Sequence, residues 1–68
     1  MEKITTHFTN REREIVRQLA EGYSTNEVAK RLFISSDTVK THRKNVIGKT
    51  GARNTVHLVW LASANGWL

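Results

Sequence analysis

Ser24-Thr25-Asn26-Glu27-Val28-Ala29-Lys30-Arg31-Leu32-Phe33-Ile34-Ser35-Ser36-Asp37-Thr38-Val39-Lys40-Thr41-His42-Arg43-Lys44 is the stretch that decides the fold. Ser24 and Glu27 have the spacing of a capping box, in which a hydroxyl and a carboxylate each take an orphan backbone N–H. Val28, Ala29 and Leu32 follow as a narrow apolar stripe, so a short helix is predicted over Thr25–Leu32. Phe33 and Ile34 fall in the connection; both are apolar and are expected to plug the core. Ser35 reads as another N-cap, with Asp37 in the first turn where negative charge suits the helix dipole. The next helix is predicted over Ser36–Thr50. Val39, Val46 and Ile47 define its inner face, with His42 or Arg43 between them. Lys40, Thr41 and Lys44 fall on the opposite face, one turn apart. Two short helices joined by so tight a turn form a helix-turn-helix, and in its DNA-binding form the second helix enters the major groove.

Upstream, Thr9 and Glu12 repeat the capping-box spacing, and Ile15, Val16, Leu19 and Ala20 recur at helical intervals. A helix is predicted over about residues 10–21, closed by Gly22 in a left-handed conformation. Downstream, Gly48 costs roughly 1 kcal/mol against Ala in a helix interior, which predicts a weak last turn before Gly51 stops the helix. Asn54 is a further N-cap. The last helix is predicted over residues 55–65, ended by Asn65-Gly66, with Trp67-Leu68 folding back. This helix is apolar around most of its circumference. The stripe Val56, Val59, Trp60 and Ser63 is expected to pack on the domain. Leu58, Leu61 and Ala62 are then left without a partner, which marks an interface.

Composition narrows the function. Sixty-eight residues allow one small domain. With no cysteine, disulfides, thiolate metal sites and thiol catalysis are excluded. His7, His42 and His57 lack metal-ligand spacing, so no metal and no cofactor are expected. No apolar run approaches the ~18 residues of a membrane span. Paired carboxylates in an apolar setting, a Gly-rich phosphate loop and a Ser with a His–acid partner are all missing from the sequence, so no enzyme is expected. The formal net charge is +5 and it is unevenly spread. Lys30, Arg31, Lys40, Arg43, Lys44, Lys49 and Arg53 face only one acidic residue, Asp37, over residues 30–53. Such a block is the footprint of a polyanion-binding face; a merely solvated surface is the plainer reading. Arg31 has a second option, an ion pair with Glu12 or Glu14. Trp60 and Trp67 lie outside the basic block and are expected in the core or an interface.

The chain resembles the DNA-binding domain of LuxR/NarL-type bacterial transcription regulators. The resemblance is carried by Phe8-Thr9-Asn10-Arg11-Glu12-Arg13-Glu14, Leu19-Ala20-Glu21-Gly22, Ser24-Thr25-Asn26-Glu27-Val28-Ala29, Leu32-Phe33-Ile34-Ser35, Thr38-Val39-Lys40-Thr41-His42 and Asn65-Gly66-Trp67-Leu68. It implies an all-α, compact four-helix domain, with the third helix in the major groove and a dimer contact on the fourth. It assigns base contacts to Lys40, Thr41 and Lys44, the residues that the helix reading also chose. Phosphate contacts are expected from Ser24, Thr25, Asn26, Thr38, His42, Arg43, Lys49, Arg53, Asn54 and Thr55, and a dimer interface from Leu58, Leu61 and Ala62. Thr50 stands where the family commonly has Leu, and Thr55 where Arg is frequent.

The organisation expected is a short N-terminal extension over residues 1–7 and the domain over 8–68. Family members usually carry a further N-terminal domain, so a stand-alone regulator and an excised domain are both open. The expected partners are double-stranded DNA, a second copy of the chain on that DNA, and RNA polymerase. No membrane and no small-molecule ligand are expected, and the compartment is the cytoplasm. The rival reading is a protein-interaction adaptor, similar to the polymerase-contacting region of sigma factors, acting through the last helix.

Overall fold

The computed structural model describes residues 8–67, which form α1 (Asn10–Ala20), α2 (Thr25–Leu32), α3 (Ser36–Thr50) and α4 (Thr55–Asn65). No strand occurs among the described residues. The predicted extension over residues 1–7 and the terminal Leu68 lie outside them.

Each helix begins where a side chain can satisfy its orphan amides. The Glu12 N–H donates to Thr9 Oγ1 at 3.0 Å, and the Thr9 N–H donates to Glu12 Oε1 at 2.9 Å. Ser24 and Glu27 make the same reciprocal pair at 3.2 and 3.0 Å. Ser35 Oγ accepts from the Thr38 N–H at 3.1 Å, and Asn54 Oδ1 accepts from the His57 N–H at 2.9 Å. His57 also ties the chain entering the helix: its Nδ1 accepts the N–H of Arg53, the residue before the cap, at 3.0 Å.

The core has two parts that share α1 and α3 as a common wall. Ile15, Val28, Ala29 and Val39 form one, flanked by Leu19, Tyr23, Leu32 and Ile34. Val16, Val46, Ala52, Leu58 and Ala62 form the other, flanked by Phe8, Ile47, Leu61 and Trp67. Adjacent residues of α1, Ile15 and Val16, thus feed different clusters, and so do Val39 and Val46 of α3. Trp67 folds back as expected, its ring edge-on to Phe8 with centroids 5.3 Å apart. The last turn of α3 holds despite Gly48. The Thr50 hydroxyl donates to the Val46 carbonyl at 2.9 Å and accepts the Ala52 N–H at 3.3 Å, knitting the helix end to the connection.

Three sequence expectations need correction. Phe33 does not plug the core; it is 94% exposed. The chain leaves α2 through a left-handed residue, and that residue is Phe33, with φ 57° and ψ 42°. The Ile34 N–H then bonds back to the Ala29 carbonyl at 3.0 Å, and the reversal sends Ile34 inward and Phe33 outward. The packing of α4 is the reverse of that expected. Leu58 and Ala62 are fully buried and Leu61 packs beside them, whereas Val56 and Trp60 are 80% and 64% exposed. The side chains named as a dimer interface are therefore core. Finally, Arg31 pairs with neither Glu12 nor Glu14. Its Nε donates to Gln18 Oε1 at 3.2 Å, and its guanidinium lies 4.3 Å from the centroid of the Tyr23 ring.

Candidate nucleic-acid interface

The helix-turn-helix is built as α2, the reversal at Phe33–Ser35, and α3. Two buried valines orient α3: Val39 against α1 and α2, and Val46 against α1 and α4. Their burial turns the opposite side of the helix outward, and Asp37, Lys40, Thr41, Lys44 and Gly48 are all exposed there. Lys40, Thr41 and Lys44, the three base-reading candidates, are thus brought together on one rigid surface.

The polar groups on this surface differ in their freedom. Thr41 Oγ1 donates to the Asp37 carbonyl at 3.0 Å, a bond that restrains its rotamer while the residue stays exposed. The Thr38 and Ser35 hydroxyls share a hydrogen bond at 2.8 Å. Among the phosphate candidates, Asn26 and Arg53 are exposed, and Thr25, His42, Arg43 and Thr55 are half-buried. The side chains of Ser24 and Asn54 are occupied as caps. What those caps leave to an anion is the remaining N–H groups of each first turn, at Thr25 and Asn26 in α2 and at Thr55 and Val56 in α4.

Lys49 was expected to touch phosphate, and the structure ties it elsewhere. Its Nζ donates to Glu12 Oε1 at 2.6 Å. Glu12 is only 3% exposed, the one charged residue among the buried side chains described. Burial pushes its carboxyl pKa up. The hydrogen bonds from the Lys49 ammonium and the Thr9 N–H outweigh that and hold it below its ordinary value. The Glu27 carboxyl is also lowered, chiefly by the hydrogen bond from the Ser24 N–H.

Sequence reading missed the Glu12–Lys49 pair because capping already explained Glu12 and nothing local signals a partner 37 positions away. It also missed the outer surface of α4. There His57 and Trp60 stack with ring centroids 6.3 Å apart and, with Arg53, Asn54 and Val56, line a hollow of about 380 Å³. No group of His, Asp or Glu among the described residues is placed to hold a metal ion.

With this geometry in view, the comparisons with known proteins are specific. Residues 6–62 match the family model described as bacterial regulatory proteins, luxR family. The chain is 46% identical over 58 residues to the CsgBAC operon transcriptional regulatory protein of Escherichia coli, covering 85% of this chain and 27% of that protein. It is 37% identical over 65 residues to the transcriptional regulatory protein YxjL of Bacillus subtilis, covering 96% of this chain and 30% of the relative. It superimposes on the crystal structure of SdiA from Escherichia coli with a TM-score of 0.89 at 39% identity, covering 98% of this chain and 28% of SdiA. The chain therefore spans under a third of the length of each of these relatives.

Proposed function

The chain belongs to the LuxR family of bacterial regulatory proteins, as the DNA-binding helix-turn-helix domain of a transcriptional regulator rather than an enzyme, and from that premise we propose that α3 lies in the major groove of double-stranded DNA. Lys40, Thr41 and Lys44 read base edges there. Lysine donates to guanine O6 and N7, and the threonine methyl touches the methyl of thymine. The observation that carries this reading is the exposure of these three residues on one side of a helix whose other side is locked into the core by Val39 and Val46.

Phosphates are held on either side of the groove. The N-terminus of α2 contributes the N–H groups and side chains of Thr25 and Asn26, with Ser24 holding that helix start as its cap. Thr38, His42 and Arg43 act along α3, and Arg53, Asn54 and Thr55 at the start of α4. These contacts set register and affinity and carry the salt dependence, while the base contacts carry sequence preference.

Two copies bind neighbouring half-sites about 10 bp apart, centre to centre. The surface that joins them is the outer side of α4 around Val56 and Trp60, where large apolar groups stand in water. RNA polymerase is the further partner of this reading, and the bacterial cytoplasm its compartment. No helix among the described residues is long and apolar enough to cross a membrane.

Selection from a randomised duplex pool at two salt concentrations tests the proposal. The expected result is a two-half-site motif whose enrichment survives ~150 mM salt, where non-specific binding collapses as counterions compete. Salt-labile binding with no enriched motif would overturn it.

A further inference from the structure

A single carboxylate oxygen joins the two ends of the scaffold that supports α3. Glu12 Oε1 accepts the Thr9 N–H at 2.9 Å, closing the cap of α1, and the Lys49 ammonium at 2.6 Å, in the last turn of α3. Lys49 itself is 38% exposed at the side chain, so its stem runs from the surface to a group that water does not reach. The buried apolar side chains that α1 and α3 bring to the core beside this pair are Ile15, Val16, Val39 and Val46.

Apolar packing of this kind is non-directional and tolerates small rotations of one helix against another. A short, charge-assisted hydrogen bond is directional and tolerates them poorly. The difference matters at the outer surface. A side chain reaching about 6 Å from a helix axis moves about 2 Å when the helix turns by about 20°. That displacement is several times the spread of donor–acceptor distances within which a base edge can be recognised.

We propose that the Glu12–Lys49 pair is a positioning strut, which fixes the rotation of α3 about its axis and so aims Lys40, Thr41 and Lys44. Lys49 is a positioning residue and not a phosphate ligand. The inference rests on the reading of α3 as the groove-bound helix. An ion pair with only its carboxylate buried adds little net stability over apolar packing, and its use lies in the single geometry it selects.

The test compares the domain and its Glu12→Gln, Lys49→Gln, Lys49→Arg and Glu12→Gln/Lys49→Gln variants on two duplexes, one selected from a randomised pool and one scrambled. Far-UV circular dichroism establishes that each variant is folded at the temperature used. Glutamine at position 12 keeps the acceptor for the Thr9 N–H, so that variant loses the ionic strut and keeps the cap.

The strut predicts that Glu12→Gln and Lys49→Gln each lower discrimination between the duplexes about tenfold, and that the double variant is no worse than either single. Lys49→Arg, which retains the ion pair, keeps most of the discrimination. Glu12→Gln, which leaves every cation in place, keeps the full salt slope. The proposal is overturned if Glu12→Gln discriminates as well as the unaltered domain while Lys49→Gln loses about 0.9 in the slope of log K against log salt, the signature of one lost phosphate contact. Should Glu12→Gln fail to fold, equal discrimination by Lys49→Arg and Lys49→Gln overturns it in the same way. Lys40→Ala separates the two levels: if that variant also discriminates fully, it is the groove reading of α3 that fails.

Discussion

α3 and α4 are both poorly amphipathic, for opposite reasons. α3 is mostly polar, with Val39 and Val46 as its fully buried residues; α4 is mostly apolar, with Leu58, Val59, Trp60, Leu61 and Ala62 in succession. In a polar helix the few apolar side chains have one place to go, and the outer surface follows by subtraction. In an apolar helix two stripes compete on equal terms and only tertiary fit decides. Here Leu58 and Ala62 fill the space beside Val16 and Val46, and the larger Trp60 is left outside. A recognition surface is thus readable where polarity contrasts, and an interface is hardest to read where hydrophobicity is plentiful.

The largest expected effect breaks this comparison directly. Leu58→Asp puts an unpaired carboxylate in the core and should cost more than ~4 kcal/mol, which unfolds a domain of this size. Trp60→Asp, two positions on, should shift stability by less than ~1 kcal/mol and instead reduce the protein bound per duplex in sedimentation from two copies to one. If Leu58→Asp melts like the unaltered domain, the inward stripe of α4 has been misassigned. On α3, Lys40→Ala and Lys44→Ala should each remove ~1–3 kcal/mol of binding to a selected duplex while leaving the melting curve in place. Equal losses on scrambled duplex would reassign both lysines to phosphate.

Acid should weaken the wall between α1 and α3. Glu12 has a lowered carboxyl pKa in the folded state, so its contribution is present above the unfolded carboxylate value and is lost as pH falls through the folded one. Urea midpoints should therefore drop below about pH 4, and Glu12→Gln should flatten that part of the profile. A variant profile parallel to that of the unaltered domain would contradict the assignment.

The smallest effect concerns the turn between the helices. Phe33 adopts a left-handed conformation that costs a bulky residue about 1 kcal/mol, so Phe33→Asn should stabilise the domain by about that amount in a thermal melt. A loss of stability would mean that Phe33 makes a contact its exposure does not suggest.

How far the fold was legible follows from the same contrast. The four helix starts were readable because caps are local chemistry, and Thr9, Ser24, Ser35 and Asn54 each cap as their spacing implies. The end of α2 at Leu32 was readable from where its apolar stripe stops; the outward turn of Phe33 was not, because the left-handed position there carries Phe33 instead of a glycine, whereas Gly51, at φ 73°, marks the end of α3 openly. Within the candidate site, the outward stripe Lys40, Thr41 and Lys44 was legible from spacing. The fate of Lys49 was not, since charge places a lysine in a basic block but does not say that Glu12 holds it.

The central claim is that individual side chains of α3 correspond to individual bases. Repeating the duplex selection with Lys44→Ala tests it most directly. The enriched motif is expected to survive with preference relaxed at one base in each half-site. An unchanged motif, or one that fades evenly at every position, would contradict it.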